Sequence, residues 1–331
     1  MSNRLFLTWT DHRRSRNLAP EFGADYVCME SDLPYLIRVV VLSFRTSLLL
    51  ITRRPAVIIA QNPSLALAVL CCVLRPLIGY VLVVDRHSNF KLDSLNSTRI
   101  KMRLFHVLSK WSIRKANITF VTNENLRQLV ESWGGTGVIL PDRLPRLETE
   151  ELWQYNGIAP FVAVFIASYD DDEPLTEVLD AARQVSDLFH LYITGNYKRA
   201  GIIPSINDKN ISFTGFLSDG MYVALLARAD LIIVLTSEQD LLNCGTYESV
   251  VLGKPIILSN SKTIKAYFDS GVVYVDNSIS EISNAFKLFP ARQQQMKTEI
   301  QELRDRLEQD WPKMLATAQN AIDYALKSSH D

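Results

Sequence analysis

The chain has 331 residues, 47% hydrophobic and 21% charged, with a mean hydropathy near zero and a net charge of −1. That length exceeds one typical core and suits two domains of about 100 to 200 residues, and the composition excludes a disordered or low-complexity chain. The charge is uneven: residues 1–150 carry 20 Lys+Arg against 12 Asp+Glu, and residues 151–331 carry 15 against 24, so the first half can meet nucleic acid, anionic lipid or phosphorylated ligands.

In chain order, the first half alternates short β-type runs with stretches of helical length. The runs are RLFLTW, ADYVCM, AVIIA, YVLVV, ITFVT and GVIL, and the alternation is βαβ rhythm. Residues 33–54, LPYLIRVVVLSFRTSLLLITRR, hold Arg38, Arg45, Arg53 and Arg54 among large apolar residues. A helix there fits a membrane interface, with the apolar face in the lipid boundary and the arginines snorkelling to anionic headgroups. A core helix with one solvated side is the alternative. Residues 64–84 nearly reach the roughly 20 apolar residues of a spanning helix, but Arg75-Pro76 and Gly79 interrupt them and the run ends at Asp85. They read as helix, turn and strand.

Residues 141–160 lack hydrophobic period and hold three prolines, as a linker does. The expected domains are therefore 1–145 and 160–290. The tail 291–331 has helical apolar spacing and is expected to pack across both. The second half repeats the rhythm with FVAVFIA, LFHLYIT, ISFTG, DLIIVLT, KPIILS and VVYV, each apolar enough for a parallel strand covered on both faces. Cys28, Cys71, Cys72 and Cys244 show no CxxC spacing, and the N-terminus lacks a cleavable signal pattern. Reduced thiols, the cytosol and no structural zinc are expected.

Ligands of open parallel sheets sit beyond the carboxyl ends of the strands. In the second half those loops hold Ser168 to Pro174, Gly195-Asn196, Thr214-Gly215-Phe216 and Thr236 to Thr246. A metal site at Asp170, Asp171 and Asp172 is not expected, because acidic residues before Pro174 more simply offset the N-terminus of the next helix. In NCGTYESVVLGKP the helix opens at Asn243 with Gly245 and Thr246, so its N–H groups suit a diphosphate. Glu248, one turn in, suits the vicinal hydroxyls of a ribose. In the first half the loop TWTDHRRSRNLAPEFG follows the first strand. Asp11 or His12 there could act as a general base, and Arg13, Arg14 and Arg16 could take an acceptor's phosphates. His87 is a rival base or an acceptor contact. Helix capping by Asp11 and solvated arginines are the plainer alternative.

The order Gly195-Asn196, ISFTGF, LSDGMYVALLARAD, LIIVLT and GTYESVVLGKPII resembles the donor-binding domain of GT-B glycosyltransferases. The runs PAVIIAQNPSLALAVLCCVL, YVLVVDRHSNF and ITFVTNENLRQLVESWG resemble the acceptor domain of β-mannosyltransferases acting on lipid-linked chitobiose, and of their bacterial relatives. The resemblance covers most of the chain. It implies two doubly wound Rossmann-like domains with a cleft between them and a nucleotide-diphosphate sugar as donor substrate. It also implies base contacts at Gly215 and Phe216, ribose at Glu248 and donor sugar at Asp240, where Asp stands for the first Glu of a Glu-x7-Glu motif. The Arg and Lys that retaining members carry after the first strand of this domain are missing from ASYDDDEPLTEV. That leaves phosphate neutralisation to helix N–H groups, Lys198 or Lys262, and favours inversion.

The expectation is a glycosyltransferase without metal or other cofactor. It would act on a lipid-linked or growing polysaccharide acceptor at the inner face of an anionic membrane, with no nucleic-acid partner. The alternatives are a non-catalytic GT-B-like membrane-docking subunit and a nucleotide-sugar epimerase. A nicotinamide dehydrogenase is not expected, since no GxGxxG follows a strand.

Overall fold

The structure is a computed structural model that describes residues 3–62, 64–87, 91–155, 157–203 and 208–328. It divides into two compact units, residues 1–142 with 310–331, and residues 143–309.

The first unit runs β1 (Arg4–Thr8), α1 (Arg13–Glu21), β2 (Asp25–Cys28), α2 (Tyr35–Arg53), β3 (Val57–Gln61), α3 (Leu65–Ile78) and β4 (Val81–Asp85). It continues with a 3-10 turn (Leu92–Ser94), α4 (Ile100–Lys115), β5 (Ile118–Val121), α5 (Glu124–Ser132) and β6 (Gly137–Ile139). All six expected strands form one parallel sheet in the order β2-β1-β3-β4-β5-β6.

Both faces of this sheet are buried, which is why its strands read as continuous apolar runs. Leu5, Leu7, Ile58 and Ala60 face one core with α2 and α3, while Phe6, Val57 and Ile59 face another with α1. Residues 64–84 form a helix and a strand joined at Gly79, whose left-handed backbone (φ 86°) ends α3. Only glycine takes that conformation without strain. The helix runs past Arg75-Pro76 to Ile78, one step further than the sequence indicates.

The second unit runs β7 (Phe161–Phe165), α6 (Leu175–Arg183), β8 (Phe189–Thr194), β9 (Ile211–Gly215), α7 (Asp219–Arg228) and β10 (Leu231–Val234). It continues with α8 (Cys244–Val251), β11 (Ile256–Ser259), α9 (Lys262–Tyr267), β12 (Val272–Val275) and the start of α10 (Ile279–Lys327). Its sheet is also parallel, in the order β12-β11-β10-β7-β8-β9. Ala163 and Phe165 face one core, and Val162 and Val164 the other.

Along α10, Ile282, Phe286 and Met296 fill the first of these cores and Ile300, Leu303 and Leu307 the second. Its last turns belong to the first unit. There Trp311, Ala318 and Ile322 are buried, and Trp311 Nε1 donates to the Pro141 carbonyl. In each sheet the strand order reverses beside the first strand, between β1 and β3 and between β7 and β10, where such folds bind ligands.

Candidate functional site

In the second unit the polar residues gather on the loops at the carboxyl ends of the strands. Gly195 follows β8 with φ 89°, and a Cβ there would lie 2.2 Å from the Ala167 carbonyl oxygen. Glycine is thus required by conformation and by close approach. Asn196 is exposed, and its Oδ1 accepts from Arg199 N at 3.1 Å. Gly215 ends β9 at an irregularity in the β8–β9 register, with φ 73°. Phe216 follows it and is 84% exposed. A bare aromatic face at a strand end is chemically suited to stack on a planar base.

The opening of α8 has the expected form. Asn243 is its N-cap, but the side chain makes no capping hydrogen bond. Asn123, Ser218 and Ser261 do cap α5, α7 and α9. The α8 N-terminus therefore keeps polarity suited to an anion.

Gly245 needs a different explanation from the one its sequence context invites. It is buried, and an added Cβ would meet Ile166 Cδ1 at 2.9 Å and Val234 Cγ2 at 3.3 Å. The glycine lets α8 lie close on the strand ends, and that packing, rather than phosphate approach, is what its missing side chain serves here. Thr246 is buried as well, and its N–H donates to the Asn243 carbonyl at 3.1 Å. Glu248 is only 7% exposed and its carboxylate accepts from the Tyr222 hydroxyl at 2.6 Å. It is therefore a held group inside the unit and not a solvated first-turn residue. Asp240 accepts from Thr263 Oγ1 at 3.1 Å.

Two expectations for the neighbouring loops need correction. Thr236, placed among the donor contacts, is 2% exposed. Its hydroxyl donates to Asp172, its N–H donates to Ser259 Oγ and its carbonyl accepts from Asn277 Nδ2. It ties three loops together, with its hydroxyl, N–H and carbonyl all engaged inside the unit. The acidic run before Pro174 does not cap α6. Glu173 turns back, and its carboxylate accepts from Ser168 N, Ser168 Oγ and Tyr169 N at 2.7 to 3.0 Å. Ser168 is thus engaged internally, because a carboxylate five residues on satisfies its loop donors. Among the described residues no group of three or more His, Cys, Asp or Glu is placed to hold a metal ion.

In the first unit, Arg14 corrects another expectation. It is no acceptor contact: the side chain is 1% exposed, with Nε and Nη2 on Asp85 at 3.0 to 3.1 Å, Nη1 on Asp142 at 2.7 Å and Nη2 on the Leu140 carbonyl at 2.8 Å. Burial opposes its charge, but Asp85 and Asp142 more than offset that and raise its pKa. Burial likewise pushes the Asp85 carboxyl up, and Arg14 and His87 outweigh it, holding the carboxyl well below the usual range.

The same carboxylate lies 3.1 Å from His87 Nδ1. With the proton on Nδ1, His87 Nε2 is left as the acceptor. The His87 ring lies 4.7 Å, centroid to centroid, from that of His12. Burial first, and then His87, lower the His12 pKa, so the ring is neutral near pH 7. Its Nδ1 is buried with no hydrogen-bond partner among the described residues.

Asp11 does not cap α1, whose N-cap is His12. Its carboxylate is exposed and accepts from Tyr26 OH at 2.8 Å and from Arg16. The Tyr26 hydrogen bond lowers its pKa most, burial opposes it and Arg16 lowers it further, so the net shift is downward and makes it the poorer base. Arg13 is exposed, and Arg16 is exposed while paired with Asp11.

The fold thus brings Asp85, His87 and His12 together. Asp85 was the residue sequence reasoning missed, although a charged residue directly ending an apolar strand run, YVLVVD, was its signal. Tyr222 left no such mark.

No protein-family model matches the chain, and neither does any curated protein. Solved structures do. Sucrose-phosphate synthase from Thermosynechococcus elongatus is 14% identical, with a TM-score of 0.71 over 91% of this chain and 84% of that one. Anabaena HepE, solved in complex with UDP and glucose, is 13% identical, with a TM-score of 0.69 over 99% of this chain and 100% of that one. A putative UDP-N-acetylglucosamine 2-epimerase from Listeria monocytogenes is 9% identical, with a TM-score of 0.60 over 91% of each chain. Two parallel six-stranded sheets flanked by helices, matched along nearly the whole chain by these structures, give the protein the GT-B fold.

Proposed function

We propose that the protein is a glycosyltransferase that moves a hexose from a nucleotide-diphosphate sugar to a lipid-linked or growing polysaccharide acceptor. The reading is carried by the full-length likeness to HepE, whose structure is a complex with UDP and glucose. In this reading the second unit binds the donor. Phe216 and Gly215 take the base, the α8 N-terminus from Asn243 the diphosphate, and Glu248, steadied by Tyr222, the ribose. Asp240 is assigned to the donor sugar.

The first unit binds the acceptor and supplies the base. The acceptor oxygen bonds to the anomeric carbon as the bond from that carbon to the diphosphate oxygen breaks. The electron pair leaves with the diphosphate, where helix N–H groups stabilise it, and the hydroxyl proton passes to His12 or to His87 Nε2. This is single displacement with inversion, and no cofactor is required. Arg13 and Arg16 remain the basic residues assigned to acceptor phosphates.

We assign the activity to the cytoplasmic face of an anionic membrane. Along α2, Tyr35, Leu36, Ile37, Val40, Phe44, Leu48 and Ile51 are each more than half exposed, with Arg38 and Arg45 interspersed. By length and composition α2 could cross a membrane. Its other side, however, sends Leu42 and Leu50 into the core, and Thr46 accepts from Trp9 Nε1. A helix packed on its own sheet cannot also be surrounded by lipid, so docking in the interface is the fitting mode.

The test is a screen of UDP-, GDP- and dTDP-sugars for thermal stabilisation, followed by product analysis with and without acceptor. A donor at 100 times its dissociation constant is expected to stabilise by about 2.7 kcal/mol, and transfer is expected only with acceptor present. Absence of binding by any nucleotide sugar would leave a non-catalytic docking subunit. The likeness to an epimerase motivates a second reading, in which the donor alone is converted.

A further inference from the structure

Arg86 directly follows β4 and is 1% exposed. Its Nη1 donates to Ser109 Oγ at 3.0 Å, but Nε and Nη2 have no hydrogen-bond partner among the described residues. Those two N–H groups form one edge of the guanidinium, a fork matched to two oxygens of one anion. The unit contains its own comparison: the same edge of Arg14 grips Asp85 through Nε and Nη2.

Among the described residues no carboxylate pairs with Arg86. Burial alone lowers its pKa, to about 10, so it stays charged at neutral pH. Arg86 and a second cation, Lys110, both approach Trp133. The Arg86 guanidinium lies 5.4 Å and Lys110 Nζ 5.3 Å from the ring of Trp133, itself buried. The aromatic face returns part of the solvation that Arg86 has lost, but a buried charge without an opposite charge remains costly. An anion at the unpartnered Nε–Nη2 edge would offset that cost.

We propose that Arg86, with Lys110 and Ser109 beside Trp133, forms an oxyanion-binding site in the first unit that accepts one phosphate or carboxylate group of a ligand. The site is distinct from the Asp85–His87–His12 group, which uses the residues on either side of Arg86. Under the glycosyltransferase reading it would give the acceptor a second, charged anchor. The site itself requires neither a sugar nor a nucleotide.

The test measures thermal unfolding and tryptophan fluorescence of the full chain titrated with inorganic phosphate and with acetate, against chloride at matched ionic strength. At least one oxyanion is expected to raise the midpoint and change the fluorescence saturably, and Trp133→Phe should lose the fluorescence response. Arg86→Met should lose both responses while its midpoint without anion equals or exceeds that of the wild type, because the substitution removes an uncompensated buried charge. Lys110→Gln, on a half-buried side chain, is expected to weaken binding several-fold and guards against misfolding of the Arg86 variant.

A wild type that answers neither oxyanion would overturn the proposal. So would a response that persists in Arg86→Met, or an affinity unchanged in Lys110→Gln. No donor is present in these titrations, so failure here is separable from failure of the transferase reading.

Discussion

Arg14 donates through Nε and Nη2 to the carboxylate of Asp85, 71 residues away in sequence, and both side chains are buried. The pair binds the start of α1 to the end of β4, and through Nη1 it adds Asp142. Removing one partner of such a pair leaves the other charged and unpaired. Arg14→Met is expected to cost about 3–5 kcal/mol at neutral pH, measured by urea unfolding. A loss within error of zero would count against it.

The depressed Asp85 value also has a sign in pH. Its folded pKa lies below the unfolded one, so its contribution is complete above about pH 4 and is lost as the pH falls further towards the folded value. The wild type should therefore lose stability steeply below that pH. Arg14→Met should show less of this dependence.

His12 titrates below its usual 6.5. The unfolded chain then binds the proton more readily than the native one, so this residue makes stability rise with pH up to about 6.5. As a base it stays available in mildly acid solution, and the acid limb of the transfer rate is expected below pH 6.5. His12→Gln should lower kcat by about 10²- to 10⁴-fold and remove that limb. A pH profile that keeps its limb in this variant would move the role to His87.

Glu248 is buried against Tyr222, so its charge is positioned before any donor arrives. A charge-assisted hydrogen bond contributes about 1.5–3 kcal/mol. Glu248→Gln should thus weaken nucleotide-sugar binding about 10- to 100-fold by calorimetry, with Tyr222→Phe weakening it less. Equal affinity in all three proteins would make Glu248 a structural residue.

On α2, the double variant Arg38→Glu, Arg45→Glu should reduce co-sedimentation with anionic vesicles, since each basic residue near such a surface contributes about 1 kcal/mol. Leu36→Ser with Phe44→Ser should reduce it as well, because these side chains are 76% and 70% exposed. Circular dichroism should be unchanged in both. Undiminished vesicle binding would remove the membrane from the proposal.

Much of this architecture was written in local pattern. Every expected apolar run became a strand, because a parallel sheet covered on both faces needs uninterrupted hydrophobic residues. The same clarity failed for polar groups, whose partners are set by where strands end. Arg14 and Thr236 read as ligand contacts because they follow closely on strand ends, yet Arg14 lies on the first turn of α1 and both are buried and internally satisfied. Glu173 read as a helix cap, but its carboxylate found donors at Ser168 and Tyr169 first.

The sequence alone thus determined the two parallel sheets, the helix start at Asn243 and the apolar, arginine-bearing character of α2, all properties of neighbouring residues. Only the tertiary structure decided that Asp85 orders His87 and that Glu248 is held by Tyr222. It alone decided that Gly245 serves helix packing and that Arg86 Nε and Nη2 find no partner among the described residues. Each of these depends on residues far apart in the chain, and hydrogen bonding and burial at such separations leave no period in a sequence.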